Sequence, residues 1–341
     1  MLISICIPTY NRARHLANCL HSIANCGAQA GVDFEVCVSD NGSSDDTAEV
    51  VRNAQHTLPI RYRRNETNQG IPRNFLAVVD MAQGEFAWLL GDDDLLLPGA
   101  IGRLRALIEG HPAVDFFYVN SYHLQTEYVR SFPQPFDMRN LPTDMRRFSE
   151  YREEGERPFF GLVDPNVSFD FLGGMFLVVF RRTAWQANTQ VLDPAAIADM
   201  RTFSHFDNTF PHVKIFAQAF ARSVAYFNAE PLSVCLTGAR EWAPMYPLVH
   251  SVRLVQALRE YRRNGLQLSR YLRCRNYALN NFIPDLGAMC VHGSRAGFAY
   301  LRFRRDVLSN LLFPNVYWSL PRFFGRKLWL LIQRLTARSA S

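Results

Sequence analysis

Lysine is almost missing from this 341-residue chain: it occurs at Lys214 and Lys327, and arginine supplies nearly all of the 37 basic charges. No uncharged apolar run reaches the roughly 18 residues of a membrane-spanning helix. The longest charge-free stretch near the C-terminus, 307–321, is interrupted by Asn310, Pro314, Asn315 and Ser319. The N-terminus has neither the basic segment nor the small-residue cleavage site of a secretory leader, so the expected compartment is the cytosol. The seven cysteines form no CxxC pair, which argues against a zinc ribbon, a thioredoxin-type motif or a disulfide framework. Neither a GxGxxG fingerprint follows the first strand nor does a GxxxxGK[ST] loop occur, which excludes a dinucleotide-binding dehydrogenase and a P-loop NTPase.

What is present is ordinary globular composition, 48% apolar and 20% charged, with 26 Phe. The net charge of +6 is unevenly spread. From residue 250 onward 16 basic residues face three acids, Glu260, Asp285 and Asp306, leaving an acidic head and a basic tail suited to different partners.

The first 120 residues alternate between buried apolar strands (2–9, 34–39, 59–64, 86–90, 114–120) and amphipathic helices (12–26, 72–81, 98–109), with a helix cap at Ser43/Ser44-Asp45-Asp46. That alternation predicts an α/β fold around a parallel sheet. Residues 121–166 read as an irregular insertion with a short helix near 145–154. Beyond it, 173–180 is strand-like, 206–221 helical, and 224–227 and 232–236 edge strands. After Pro247 the chain reads as helical and basic, near 248–263, 268–282 and 296–312. The predicted division is a domain over 1–247, with a first half at 1–120 and a second at 121–247, and a helical region over 248–341.

In open α/β sheets ligands bind beyond the carboxyl ends of the strands. Three polar clusters fall there: Pro8-Thr9-Tyr10-Asn11-Arg12, Asp40-Asn41-Gly42-Ser43 and Gly91-Asp92-Asp93-Asp94. Three adjacent carboxylates repel one another unless a cation neutralises them, and hard divalent ions take oxygen ligands. An acidic helix N-terminus is the alternative reading of the same triplet.

The motifs Ile5-Cys6-Ile7-Pro8-Thr9-Tyr10-Asn11-Arg12, Val38-Ser39-Asp40-Asn41-Gly42-Ser43-Ser44-Asp45-Asp46-Thr47, Asn68-Gln69-Gly70 with Arg73-Asn74, and Gly84-Glu85-Phe86 before Gly91-Asp92-Asp93-Asp94 occur in this order. Together they make residues 1–120 resemble inverting family-2 glycosyltransferases of the GT-A fold, closest to the abequosyltransferase-like branch that acts in surface-polysaccharide (lipopolysaccharide O-antigen) assembly. The resemblance implies a Rossmann-like, mostly parallel nucleotide-sugar domain, here with a helical basic extension. It implies that Thr9 and Asp40 hold the nucleotide base, Arg73 a base or phosphate, and Asp92 the ribose and metal. Asp93 would bind Mn2+ or Mg2+, with Asp94 as a further acid, although Gly91 replaces the first Asp of the family's DxDD string. Pro8, Tyr10, Arg12 and Asn41 complete the candidate donor site. An inverting transfer needs a base for the acceptor hydroxyl. The resemblance directs that role to Ser204-His205-Phe206-Asp207-Asn208, with Asp207 first, and Asp199, His205 and His212 as alternatives. Gly173-Gly174 reads as close backbone approach or tight packing, and Arg240-Glu241-Trp242 as a phosphate clamp and sugar platform.

The tail interleaves Trp318, Phe323, Phe324 and Trp329 with Arg322, Arg326 and Lys327, a pattern suited to an anionic membrane surface. Packing on the domain or a dimer is the alternative, and no nucleic-acid motif is present. The expected activity is metal-dependent inverting transfer from a nucleotide-sugar to a glycan or polyprenyl-linked glycan, by an enzyme peripheral to the inner face of the cytoplasmic membrane. The competing expectation is a non-catalytic glycosyltransferase-like binding or scaffold protein.

Overall fold

A computed structural model of the chain describes residues 2–27, 33–238 and 242–339. Its first part supplies β1 (Ile3–Thr9), β2 (Phe34–Asp40), β3 (Ile60–Arg64), β4 (Phe86–Leu89), β5 (Leu95–Leu96) and β6 (Phe116–Gln125). Then follow β7 (Gly155–Pro158), β8 (Val178–Arg181) and β9 (Val224–Thr237). All join one mixed sheet in the order β3-β2-β1-β4-β8-β6-β9-β5, with β7 paired to β9. The β3-β2-β1-β4 half is parallel, as the strand–helix alternation predicts, and β8 inserts antiparallel between β4 and β6. Helices α1 (Ala13–Gly27), α2 (Thr47–Ala54), α3 (Ile71–Met81) and α4 (Ala100–Gly110) connect the strands.

The patterning explains the layers. Ile3, Ile5, Cys6 and Ile7 of β1 are all fully buried, which a strand covered on both faces requires. Leu16, Leu20 and Ile23 form one stripe of α1 and disappear into the same core, each contributing about 2 kcal/mol of burial. Six of the seven cysteines are buried and free, and burial pushes the Cys26 and Cys274 thiols up to about 11, so they act as small hydrophobes.

Several sequence-based expectations are corrected. The segment near 145–154 forms no helix but runs beside β6: Phe148 N–H donates to Ser121 O at 2.8 Å, and buried Asn120 binds both Ser149 N (3.0 Å) and Ser149 O (2.9 Å). The edge strands expected at 224–227 and 232–236 are one internal strand, β9, flanked by β6, β5 and β7. Pro231 is tolerated because the β6–β9 register shifts there, at a bulge where no ladder N–H is needed. The helix expected at 206–221 is two, Phe206–Thr209 and Pro211–Ala219, because the residue before a proline is forced out of helical geometry; Phe210 sits at φ −131°, ψ 60°. Within the cap expected at Ser43/Ser44-Asp45-Asp46, Asp46 holds the cap position without a side-chain bond, and Asp45 before it accepts from Thr47 Oγ1 (2.6 Å) and Thr47 N (3.2 Å). Helices Leu254–Arg263, Leu268–Ala278 and Phe282–His292 follow, then short turns over 293–310 in place of the expected 296–312 helix, and a 26-residue helix Pro314–Ser339.

Candidate functional site

The three polar clusters meet at the carboxyl rim of the parallel strands, tied loop to loop. Asn11, held at φ +52°, donates its N–H to Ser43 Oγ (2.8 Å) and accepts from Ser44 N–H (2.7 Å). Asn41 N–H donates to Thr9 O at 2.9 Å, while the Asn41 side chain reaches Asn68 Oδ1 (2.9 Å), Gln69 N (2.9 Å) and Asn65 Nδ2 (3.1 Å). Gly42 is required between them: it lies at φ +83°, and a Cβ there would stand 3.0 Å from the Thr67 backbone.

The acids after β4 pack under the first loop. Asp92, Asp93 and Asp94 are all buried. Thr9 Oγ1 donates to Asp92 Oδ2 at 2.8 Å, and the Arg12 guanidinium bridges Asp92 Oδ1 (3.1 Å) and Asp93 Oδ2 (2.8 Å). Burial first, with Asp93 and Asp94 adding, pushes the Asp92 carboxyl up to about 7 against the opposing pull of Arg12 and Thr9. Asp94 Oδ2 accepts the Gly91 N–H at 2.9 Å, closing the turn. A Cβ on Gly91 would stand 2.7 Å from Asp94 Oδ2 and 2.9 Å from Asp93 Oδ1, so this arrangement of the triplet excludes a side chain where the family has Asp.

Among the described residues no three carboxylate, imidazole or thiolate groups converge as a ready-made metal cage. Asp92 and Asp93 are nevertheless the pair that would hold a divalent ion: they are adjacent hard oxygen donors already sharing one cation, the Arg12 guanidinium. Such ions are bound by one or two carboxylates plus substrate phosphates.

The other donor-side residues divide into framework and surface. Asp40 is fully buried, with Tyr62 OH on Oδ2 (2.7 Å), Ser43 N–H on Oδ1 (2.8 Å) and Arg64 Nε at 3.6 Å, so it orders its loop. Pro8 is half-buried and Arg12 largely covered, whereas Tyr10 is 41% exposed and Arg73, in the first turn of α3, is exposed beside Gln69 Oε1 (3.2 Å). Sequence reasoning missed Asn74, which donates to Ser39 O (2.9 Å) and Thr9 O (3.3 Å), joining the ends of β1 and β2. Its place in the Arg73-Asn74 pair was the available signal.

The segment around Asp207 packs on α3. Met200 Sδ would lie 3.2 Å from a Cβ on Gly70, and His212 stacks on Phe75 at 6.0 Å. Asp207 is buried but is not the helix cap, because His205 is: its ring accepts the Asp207 N–H at 3.2 Å. Asp207 Oδ2 takes Lys214 Nζ and Asp193 N–H, both at 2.7 Å, and Oδ1 faces His205 Nδ1 at 3.9 Å. Lys214 was also missed, although a chain with two lysines marks it. Asp199 is gripped by Arg201 (2.7 Å) and Ser204 Oγ (2.7 Å), which hold its carboxyl below the usual range and make it a poor proton acceptor. Burial pushes His212 down to about 4, and its Nε2 meets Gly173 O at 3.1 Å, so it is a packed core histidine. Asp207, His205 and Lys214 line a cleft of about 320 Å3 that several arginines of the C-terminal region also line.

Gly173 and Gly174 pack tightly against Asp170, and Phe210 crowds Gly173. In the expected Arg240-Glu241-Trp242 clamp, Arg240 and Glu241 lie outside the described residues, and Trp242 packs edge-on against Phe203 at 5.2 Å. Trp318, Phe324 and Trp329 are each more than half exposed, and among the described residues no helix is long and apolar enough to cross a membrane.

The family model for glycosyl transferase family 2 matches residues 4–171. Abequosyltransferase RfbV of Salmonella typhimurium is 45% identical over 112 residues, 32% of this chain and 33% of that protein. The GalNAc(5)-diNAcBac-PP-undecaprenol beta-1,3-glucosyltransferase of Campylobacter jejuni is 42% identical over 104 residues, 30% and 33% of the two chains. The chain thus spans about a third of the length of the curated relatives it matches. Among solved structures, S. aureus TarS 1-349 superposes with a TM-score of 0.56 at 17% identity, covering 88% of this chain and 74% of that one. The mannosyltransferase PcManGT from Pyrobaculum calidifontis, in complex with GDP-Man and Mn2+, gives 0.51 at 16% identity over 93% and 83%. At such identities the likeness is one of fold, here the GT-A arrangement.

Proposed function

Residues 4–171 are a glycosyl transferase family 2 domain, and from that premise we propose that the chain transfers a sugar, with inversion, from a nucleotide-diphosphate sugar to a hydroxyl of a glycan in surface-polysaccharide assembly. The observation that carries this reading is the Arg12 bridge between Asp92 and Asp93 at the rim of the parallel strands, a buried acidic pair poised for exchange between cations. The name of the Campylobacter glucosyltransferase, which specifies a PP-undecaprenol-linked substrate, supports a lipid-linked glycan as acceptor, and that of RfbV, an abequosyltransferase, supports sugar transfer.

The donor half, 1–120, binds the nucleotide. Tyr10 offers an exposed ring for the base, Asp40 and Asn41 hold the loops in register, and Arg73 and Arg12 face the diphosphate. Asp93 and Asp92 would hold Mn2+ or Mg2+, the Mn2+ bound to PcManGT being the precedent, and an ion there would supply positive charge to offset the negative charge developing on the departing diphosphate. In the acceptor half, 121–247, Asp207 Oδ1 takes the proton of the attacking hydroxyl while Lys214 and the Asp193 N–H fix Oδ2. The basic tail holds the enzyme at the inner face of the cytoplasmic membrane.

The test is a thermal-shift screen of UDP, GDP, CDP and dTDP with and without Mn2+, since ligands of the native state raise the melting temperature. One nucleotide should give a Mn2+-dependent shift that Asp93→Ala abolishes together with transfer. Full turnover in Asp93→Ala removes it from the mechanism. The Lys214 ion pair on Asp207 favours a second reading, nucleotide-sugar binding without turnover. A Mn2+-dependent shift with no transfer to any glycan acceptor selects that reading.

A further inference from the structure

The cleft beside Asp207 carries more cation than its acids answer. Six basic side chains line it, Lys214, Arg253, Arg259, Arg263, Arg302 and Arg305, against Asp207 and Glu260. Part of this charge is committed: Lys214 pairs with Asp207, Arg263 with Glu260 (3.1 Å), and Arg305 (2.7 Å) and Arg259 (3.6 Å) share Asp306. Arg253 differs. It is 2% exposed, it donates to two neutral acceptors, Phe203 O (2.7 Å) and Gln256 Oε1 (2.8 Å), and its Nε has no hydrogen-bond partner.

A buried guanidinium whose donors meet neutral oxygens is under-compensated, and an incoming anion with several oxygens relieves it. Burial, reinforced by Arg305 and Arg302 and opposed by Asp306, pulls Arg253 down to about 10, in keeping with a site short of negative charge. Arg259 and Arg305 come from the helix Leu254–Arg263 and the turn Phe303–Val307, so separate C-terminal elements aim arginines at the same space. A planar fork of N–H donors suits phosphate oxygens better than a lysine would.

We propose that this cleft binds a phosphate or diphosphate group of the acceptor, with Arg253 at its floor and Arg302 and Arg305 at its mouth, and so brings the acceptor beside Asp207. The inference rests on the acceptor role given to this half of the chain under the proposed function. It assigns the C-terminal region a share in the active site in addition to any contact with a membrane.

The test is calorimetric titration of the full chain with inorganic pyrophosphate and with geranyl diphosphate in EDTA, which keeps divalent ions from recruiting either ligand to Asp93. Arg302→Gln, a change at an exposed position, and Arg253→Gln are titrated in parallel. Saturable binding by the parent chain, weakened at least about tenfold in Arg302→Gln and further in Arg253→Gln, is the expected result. Tighter binding of geranyl diphosphate identifies a lipid-linked diphosphate; equal affinity identifies phosphate chemistry alone, and both support the site. No saturable binding by the parent, or unchanged affinity in Arg302→Gln, overturns it. The Mn2+-dependent nucleotide shift, measured on the same proteins, should survive both substitutions. If pyrophosphate binding behaves as expected while no nucleotide shifts the parent, the donor reading fails and the anion site stands.

Discussion

Replacing His212 by Gln and Asp285 by Asn should change the pH dependence of stability in opposite senses. His212 is 2% exposed and burial pushes it down to about 4, against an unfolded value near 6.5. Asp285 is 6% exposed and burial pushes it up to about 6 from 3.8, although Ser251 Oγ (2.6 Å) and Asn281 Nδ2 (2.5 Å) donate to it. At about 1.4 kcal/mol per pH unit, each group carries about 3 kcal/mol. The unfolded chain protonates His212 first, so its contribution is complete above pH 6.5 and lost as pH falls through 4. The folded chain keeps Asp285 protonated longer, so that contribution is complete below pH 3.8 and lost as pH rises through 6. In the parent protein the two nearly cancel between pH 4 and 6.5, which hides both. Urea unfolding at pH 7, 6, 5 and 4 exposes them as differences from the parent, in which the many other carboxylates drop out. From pH 7 to pH 4 the difference for His212→Gln should rise by about 3 kcal/mol and that for Asp285→Asn should fall by about as much. A difference that stays flat across this range for either variant refutes the burial argument for that residue.

Asp207→Asn should lower kcat on the order of 100-fold or more while leaving nucleotide affinity unchanged; near-parental kcat moves the base elsewhere. Gly91→Ala presses a methyl group onto Asp93 and Asp94, so it should cost about 1–3 kcal/mol in unfolding experiments and weaken Mn2+-dependent nucleotide binding; a variant with the parent's melting temperature and nucleotide shift sinks that packing argument. Joint replacement of Arg322, Arg326 and Lys327 by Gln removes about 1 kcal/mol of lipid attraction each, so partitioning onto anionic vesicles should fall about 100-fold in a sedimentation assay. Equal partitioning of variant and parent shows that the tail is not a membrane contact.

The buried acidic pair also ties two distant parts of the chain together. Arg12 supplies a counter-charge from the loop after β1 to acids that follow β4, strands adjacent in the sheet but more than 70 residues apart in the chain. The same guanidinium therefore fixes the loop and offsets repulsion within the triplet.

Local pattern sufficed for much of the first 120 residues, though not for β5 or for the insertion of β8 between β4 and β6. Continuous apolar strands, amphipathic stripes such as Leu16, Leu20 and Ile23, and polar clusters at strand ends are short-range signals, and the parallel half of the sheet and the positions of Thr9, Asp40 and Asp93 on its rim follow from them. Beyond residue 121 the deciding contacts are long-range. Whether 145–154 is helix or extended depends on Asn120 bonding across to Ser149, and whether 224–237 is edge or interior depends on which strands flank it. Composition fixed the arginine-rich tail, but it was tertiary packing that folded Arg253 against Phe203 and brought the neighbouring arginines to the cleft that Asp207 also lines. Likewise, no periodicity could pair Lys214 with Asp207 or bury His212 beside Phe75, because burial and charge pairing are properties of the assembled core rather than of any segment.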